Sequence, residues 1–113
     1  MIGYMAWPDP LPPQQVPGVI VVHENRGLVD HIKDVTRRVA KAGYVALGVD
    51  LLSRQGGTGQ FTEATQQSAA YNRTNVVERW QDLVASVDFL KHDSAVRFDR
   101  IGIVGVCAGG GNT

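Results

Sequence analysis

Near the end of the chain a β-branched run, Ile101, Ile103, Val104 and Val106, passes without a break into Gly105-Val106-Cys107-Ala108-Gly109. The run reads as a strand buried on both faces, and the small residues after it read as a sharp strand-to-helix turn. A side chain carried at the tip of such a turn needs small residues two places before and two after it, because a Cβ there collides with crowded backbone. Gly105 and Gly109 stand at those places, with Gly110 behind them. The pattern is that of a nucleophile elbow with Cys in place of Ser. The thiol of Cys107 is then expected at a helix N-terminus, where unpaired N–H groups and the positive end of the dipole favour thiolate.

Other readings of the same stretch stay open on the residues alone. A lone Cys in an apolar strand is often inert core. A glycine-rich turn can also cradle a nucleotide or flavin phosphate. The dinucleotide fingerprint, however, needs Gly where Cys107 stands, and the phosphate loop needs a Lys-Ser/Thr pair that is absent. A non-catalytic interaction protein that keeps the fold is the third alternative.

Upstream, strand and helix patterns alternate. Ile2 to Trp7 can form a strand, and Pro8-Asp9-Pro10-Leu11-Pro12-Pro13 is a stiff connector. Gly18 to His23 is continuously apolar until it meets His23-Glu24-Asn25-Arg26-Gly27. Leu28, Ile32, Val35, Val39 and Ala42 follow at spacings of four, three, four and three, one stripe of a helix with Asp30 as N-cap and Gly43 at C′. Tyr44 to Val49 is a third strand, closed by Asp50-Leu51-Leu52, and Phe61 to Arg73 is polar with weak helical character. Val76, Trp80, Leu83, Val87 and Leu90 repeat the helical spacing, with Asn75 as N-cap and Glu78 as its capping-box partner. This order predicts right-handed βαβ units: an α/β fold with a parallel sheet in a three-layer α/β/α sandwich. Ligands of such sheets bind at the carboxyl ends of the strands, where Glu24, Asn25, Asp50, Cys107 and Ala108 all fall.

Composition narrows the partners. The 113 residues allow one domain, and eleven basic residues balance eleven acidic ones without a cationic stripe, which argues against nucleic acid. Apolar runs reach only about six residues, far short of a membrane span, and no basic segment followed by an apolar core opens the chain. The reading is a soluble protein, and its one Cys suits a reducing cytoplasm.

The chain resembles the dienelactone hydrolase family, a branch of the α/β-hydrolase fold with a Cys nucleophile. Val21-Val22-His23-Glu24 followed by Gly27-Leu28, then Ala42-Gly43-Tyr44, Asp50-Leu51 and Gly105-Val106-Cys107-Ala108-Gly109-Gly110 carry the likeness, in family order. It implies a small lactone or carboxylic ester as substrate, with no cofactor and no metal. Carried over by position, Cys107 is the nucleophile, backbone N–H groups of Asn25 and Ala108 form the oxyanion hole, and Glu24 is the carboxylate that meets the resting thiol. The departure is large: in α/β-hydrolases the triad acid and histidine follow the nucleophile, and the sequence stops six residues after Cys107. Residues 1–113 are therefore expected to be the N-terminal portion of one domain, truncated after the elbow and prone to self-association through an exposed sheet edge. His31 and His92 are expected on solvated helix faces, and His23, beside Glu24 on a strand, is rejected as a replacement base. Arg54, Tyr71 and Arg73 fall where substrate-gripping residues are expected, without a spacing that selects one.

Overall fold

The computed structural model describes residues 2–105, which form a four-stranded sheet in the order β1-β3-β2-β4. Strand β1 spans Gly3–Ala6, β2 Val16–Val22, β3 Val45–Val49 and β4 Val96–Gly105. β2, β3 and β4 are parallel, as the alternation predicts. β1 corrects the expectation of a parallel sheet, because it pairs antiparallel with β3, Gly3 opposite Val49 and Ala6 opposite Ala46. A parallel return needs a crossover of a dozen or more residues. The proline-rich connector between Ala6 and Val16 has only nine. β2 begins earlier than its apolar run suggests and contains Pro17, and its pairing with β4 is irregular between Val16 and Gly18. Such an irregularity is how a strand interior tolerates a residue without an N–H.

Helix α1, Asp30–Lys41, covers one face of the sheet, and α3, Val76–Lys91, covers the other. Successive residues of β2 divide between them, as a period of two requires. Val19 and Val21 pack with Leu28, Ile32, Val35 and Val39, while Ile20 and Val22 pack with Leu83, Val87, Leu90 and Val96. All five residues of β3 are buried. At Gly48 a Cβ would stand 2.9 Å from Thr36 Oγ1 and 3.1 Å from Leu28 Cδ1, so its absence lets α1 lie close to the sheet. Val29, not Asp30, is the N-cap of α1, and Asp30 is instead a first-turn carboxylate facing the helix dipole. Gly43 takes the C′ position with φ of 113°, as expected. The polar segment yields α2, Ala64–Asn72, entered through a capping box of Glu63 and Gln66.

Two expectations about packing fail in an informative way. Along α3, Leu83, Val87 and Leu90 face the sheet, but Val76 and Trp80 are 68% and 65% exposed, and Asp82 and Ser86 share the buried line with Leu90. The first half of α3 lies over the turn at 53–55, whose Arg54 draws Asp82 inward with contacts of 3.0 and 3.3 Å. Glu78 is likewise held by Arg54, at 3.4 Å, while Asn75 caps the helix by accepting N–H bonds from Val77 and Glu78. The run from Ile101 was expected to be buried on both faces. Among the described residues β4 is an edge strand paired only with β2, and Phe98, Ile103 and Val104 are exposed.

Candidate active site

β2 leads to β3 on one side of the sheet and β3 leads back across to β4 on the other, so strand order reverses beside β2. Crevices for ligands open at such reversals. Val22 and Gly105 are register partners, which places the end of β2 next to the residue from which the sequence runs into its glycine-rich segment. Of the elbow, Gly105 closes β4, whereas Cys107, Ala108, Gly109 and Gly110 lie outside the described residues. Glu24 is half-buried and Asn25 exposed in the loop that follows β2.

A buried polar network holds that loop. His23 is 2% exposed, and both ring nitrogens are engaged: Nε2 accepts the Leu51 N–H at 2.9 Å and Nδ1 lies 2.6 Å from the Glu24 carbonyl oxygen. Because Nε2 accepts, the proton sits on Nδ1 and the Glu24 carbonyl receives it. Burial pushes the His23 pKa below the ordinary imidazole value, outweighing the Glu24 carbonyl and the nearby Asp50 charge, which raise it. A ring committed in this way is no general base, in keeping with its rejection on sequence. Asp50 Oδ1 accepts from Leu52 N–H at 2.9 Å and from the Thr58 hydroxyl at 2.8 Å, and Oδ2 accepts from Thr58 N–H at 2.8 Å. Thr58 Oγ1 in turn accepts the Leu28 N–H at 2.8 Å. Gly27, with φ of 81°, passes so close that a Cβ would stand 2.3 Å from Thr58 Oγ1.

Sequence reasoning considered His23 only as a base and overlooked Thr58 altogether. The one available signal was the glycine pair Gly56-Gly57 before Thr58, both at φ of 95°, which turns the chain back under the β2 loop. The residues suggested as substrate grips are otherwise occupied. Arg54 binds Asp82, Glu78 and Gln81; Tyr71 lies edge-on to His23 and beneath the Arg79 guanidinium; Arg73 reaches Gln55 at 3.5 Å. Arg54 and Arg73 border a cleft of about 280 Å³ that also includes Leu51 and Thr74. His31 and His92 are exposed. Among the described residues no cluster of His, Cys, Asp or Glu is arranged to hold a metal ion, and no helix is long and apolar enough to cross a membrane.

A mixed sheet between helices, with its loops converging where strand order reverses, is the architecture of an α/β-hydrolase-like domain. The model of the dienelactone hydrolase family matches residues 1–113, and the chain belongs to that family. It is 36% identical over 114 residues to a Synechocystis sp. protein assigned by name to the carboxymethylenebutenolidases, covering 96% of this chain and 45% of that one. A Methylorubrum extorquens protein of the same assigned name is 40% identical over 95 residues, covering 83% of this chain and 33% of the relative. Among solved structures, one assigned to a dienelactone hydrolase of Klebsiella pneumoniae superposes with a TM-score of 0.77 at 28% identity, over 93% of this chain and 43% of the other. The chain thus spans less than half the length of these relatives.

Proposed function

We propose that this chain supplies the nucleophile and oxyanion half of an active site that cleaves a lactone or carboxylic ester. The observation that carries the reading is the register of Val22 with Gly105, which sets the Glu24-Asn25 loop beside the strand that runs into Gly105-Val106-Cys107-Ala108-Gly109. The family's chemistry then assigns the roles. The Cys107 thiolate attacks the carbonyl carbon, the C=O pair moves onto oxygen, and N–H groups of Asn25 and Ala108 receive the oxyanion. Each such donor is typically worth about 3 kcal/mol of transition-state stabilisation. Collapse expels the alkoxide or enolate, which takes a proton as it leaves, and water hydrolyses the thioester to regenerate the thiol. Glu24 meets the resting thiol and accepts its proton when substrate arrives. Gly105, Gly109 and Gly110 carry the family's elbow pattern in the sequence, although among the described residues a Cβ at Gly105 would meet nothing within 4 Å. The triad Asp and His follow the nucleophile in this fold. We place them after Thr113, so that residues 1–113 alone bind the pieces of a site without turning over ester.

The test uses the protein as its gene encodes it, assayed with an enol-lactone and with 4-nitrophenyl acetate. Turnover that vanishes on alkylation of Cys107 and in Cys107→Ala supports the reading. Full activity in Cys107→Ala, or no turnover of either ester by the unaltered protein, overturns it. The family match lends no support to a nucleotide- or flavin-binding role.

A further inference from the structure

We infer that His23 is a positioning residue that aims the Asn25 N–H at the reacting carbonyl oxygen; the inference rests on the oxyanion role proposed above for Asn25. A peptide unit is planar, and in the trans form its N–H points opposite to its C=O. The Glu24–Asn25 bond is not the cis one, which is Asp9–Pro10. Whatever fixes the Glu24 carbonyl therefore fixes the direction of the Asn25 N–H. Two donors grip that carbonyl: His23 Nδ1 at 2.6 Å and the Gly27 N–H at 3.2 Å. The His23 ring cannot swivel away, because Leu51 N–H donates to Nε2 at 2.9 Å from the end of the neighbouring strand. The relay runs from the Leu51 N–H through the imidazole to the Glu24 carbonyl, and so to the opposite end of the same peptide plane. Farther along the loop, the hydrogen bond from Leu28 N–H to Thr58 Oγ1 and the close passage of Gly27 fix the other end. His23 thus acts without touching substrate, and its tautomer is part of the device: a proton on Nε2 instead of Nδ1 would face the Leu51 N–H and leave the Glu24 carbonyl without its imidazole donor.

The test compares the unaltered protein, as its gene encodes it, with His23→Leu and His23→Gln. Gln offers N–H donors and a carbonyl acceptor on one planar group and is expected to restore what Leu removes. An oxyanion donor acts chiefly in the transition state, and deleting one costs about 100- to 1000-fold in kcat. Misdirecting it in His23→Leu is expected to lower kcat by about 10- to 100-fold, per site titrated by Cys107 alkylation, with KM little changed. Amide exchange at Gly27, whose N–H is held by the Glu24 carbonyl, should accelerate in the same variant and return toward the original rate in His23→Gln. Unchanged kcat and exchange in His23→Leu would overturn the aiming role while leaving the hydrolase reading intact. An unaltered protein with no ester turnover would instead remove the hydrolase reading, and the aiming role with it. Should His23→Leu fail to fold, nitrogen NMR of the unaltered protein decides: a proton on Nδ1 with a bare Nε2 supports the relay, and the reverse tautomer overturns it.

Discussion

Neutral His23 in the interior makes the fold acid-sensitive through one identifiable group. Its folded pKa lies below the ordinary value of about 6.5 because burial penalises the imidazolium. The groups that face it are Asp50, with Oδ1 4.0 Å from Nε2, the Tyr71 ring edge, and the backbone of Glu24 and Leu51. The unfolded chain protonates first as pH falls, so the contribution of His23 is complete above about 6.5 and declines from there down to the folded pKa. Urea melts between pH 8 and pH 5 should show stability falling across that window, and the loss attributable to residue 23 should disappear in His23→Gln. This sensitivity was not legible in the sequence, which shows an apolar strand ending in His but not that Leu51 N–H occupies one nitrogen.

At the scale of the element, the helices show which local signals survive packing. Asn75 precedes a long amphipathic run, and in the structure its side-chain oxygen accepts N–H bonds from Val77 at 2.7 Å and Glu78 at 3.4 Å. Asn75→Ala is expected to cost about 1 kcal/mol of stability, read from the shift of the urea midpoint at unchanged slope. Capping depends on residues a turn apart, which is why it could be read from spacing. The partner that Glu78 takes instead of a capping-box bond could not, because Arg54 approaches from 24 residues away in sequence. The same guanidinium turns Asp82 toward the protein, and Val76 and Trp80 of the apolar stripe stay exposed, as do Val77, Val84 and Phe89 outside it. Hydrophobic spacing identifies a helix and its general face; the turn that it docks against sets its final rotation.

For the whole molecule, the exposed apolar side chains of α3 and of edge strand β4 border a common groove of about 330 Å³, in which Trp80, Leu83, Val84 and Val87 meet Ile103. In the proposed reading this is the surface that the remainder of the domain covers, and the 113-residue chain alone associates through it. Light scattering of that chain should show oligomers, and Ile103→Lys, a charge on the open edge, should shift them toward monomer. Monodisperse protein before the substitution would remove the association. The sequence by itself determined the three parallel strands, the two long helices and the family, because those depend on periodicity and on motifs whose residues are neighbours in the chain. Tertiary structure decided that β1 runs antiparallel, that β2 and β4 lie side by side in register, and that His23, Asp50 and Thr58 hold one loop. Those outcomes depend on connector reach and on hydrogen bonds between residues from 8 to 83 positions apart, and no local pattern encodes which distant donor will find which acceptor.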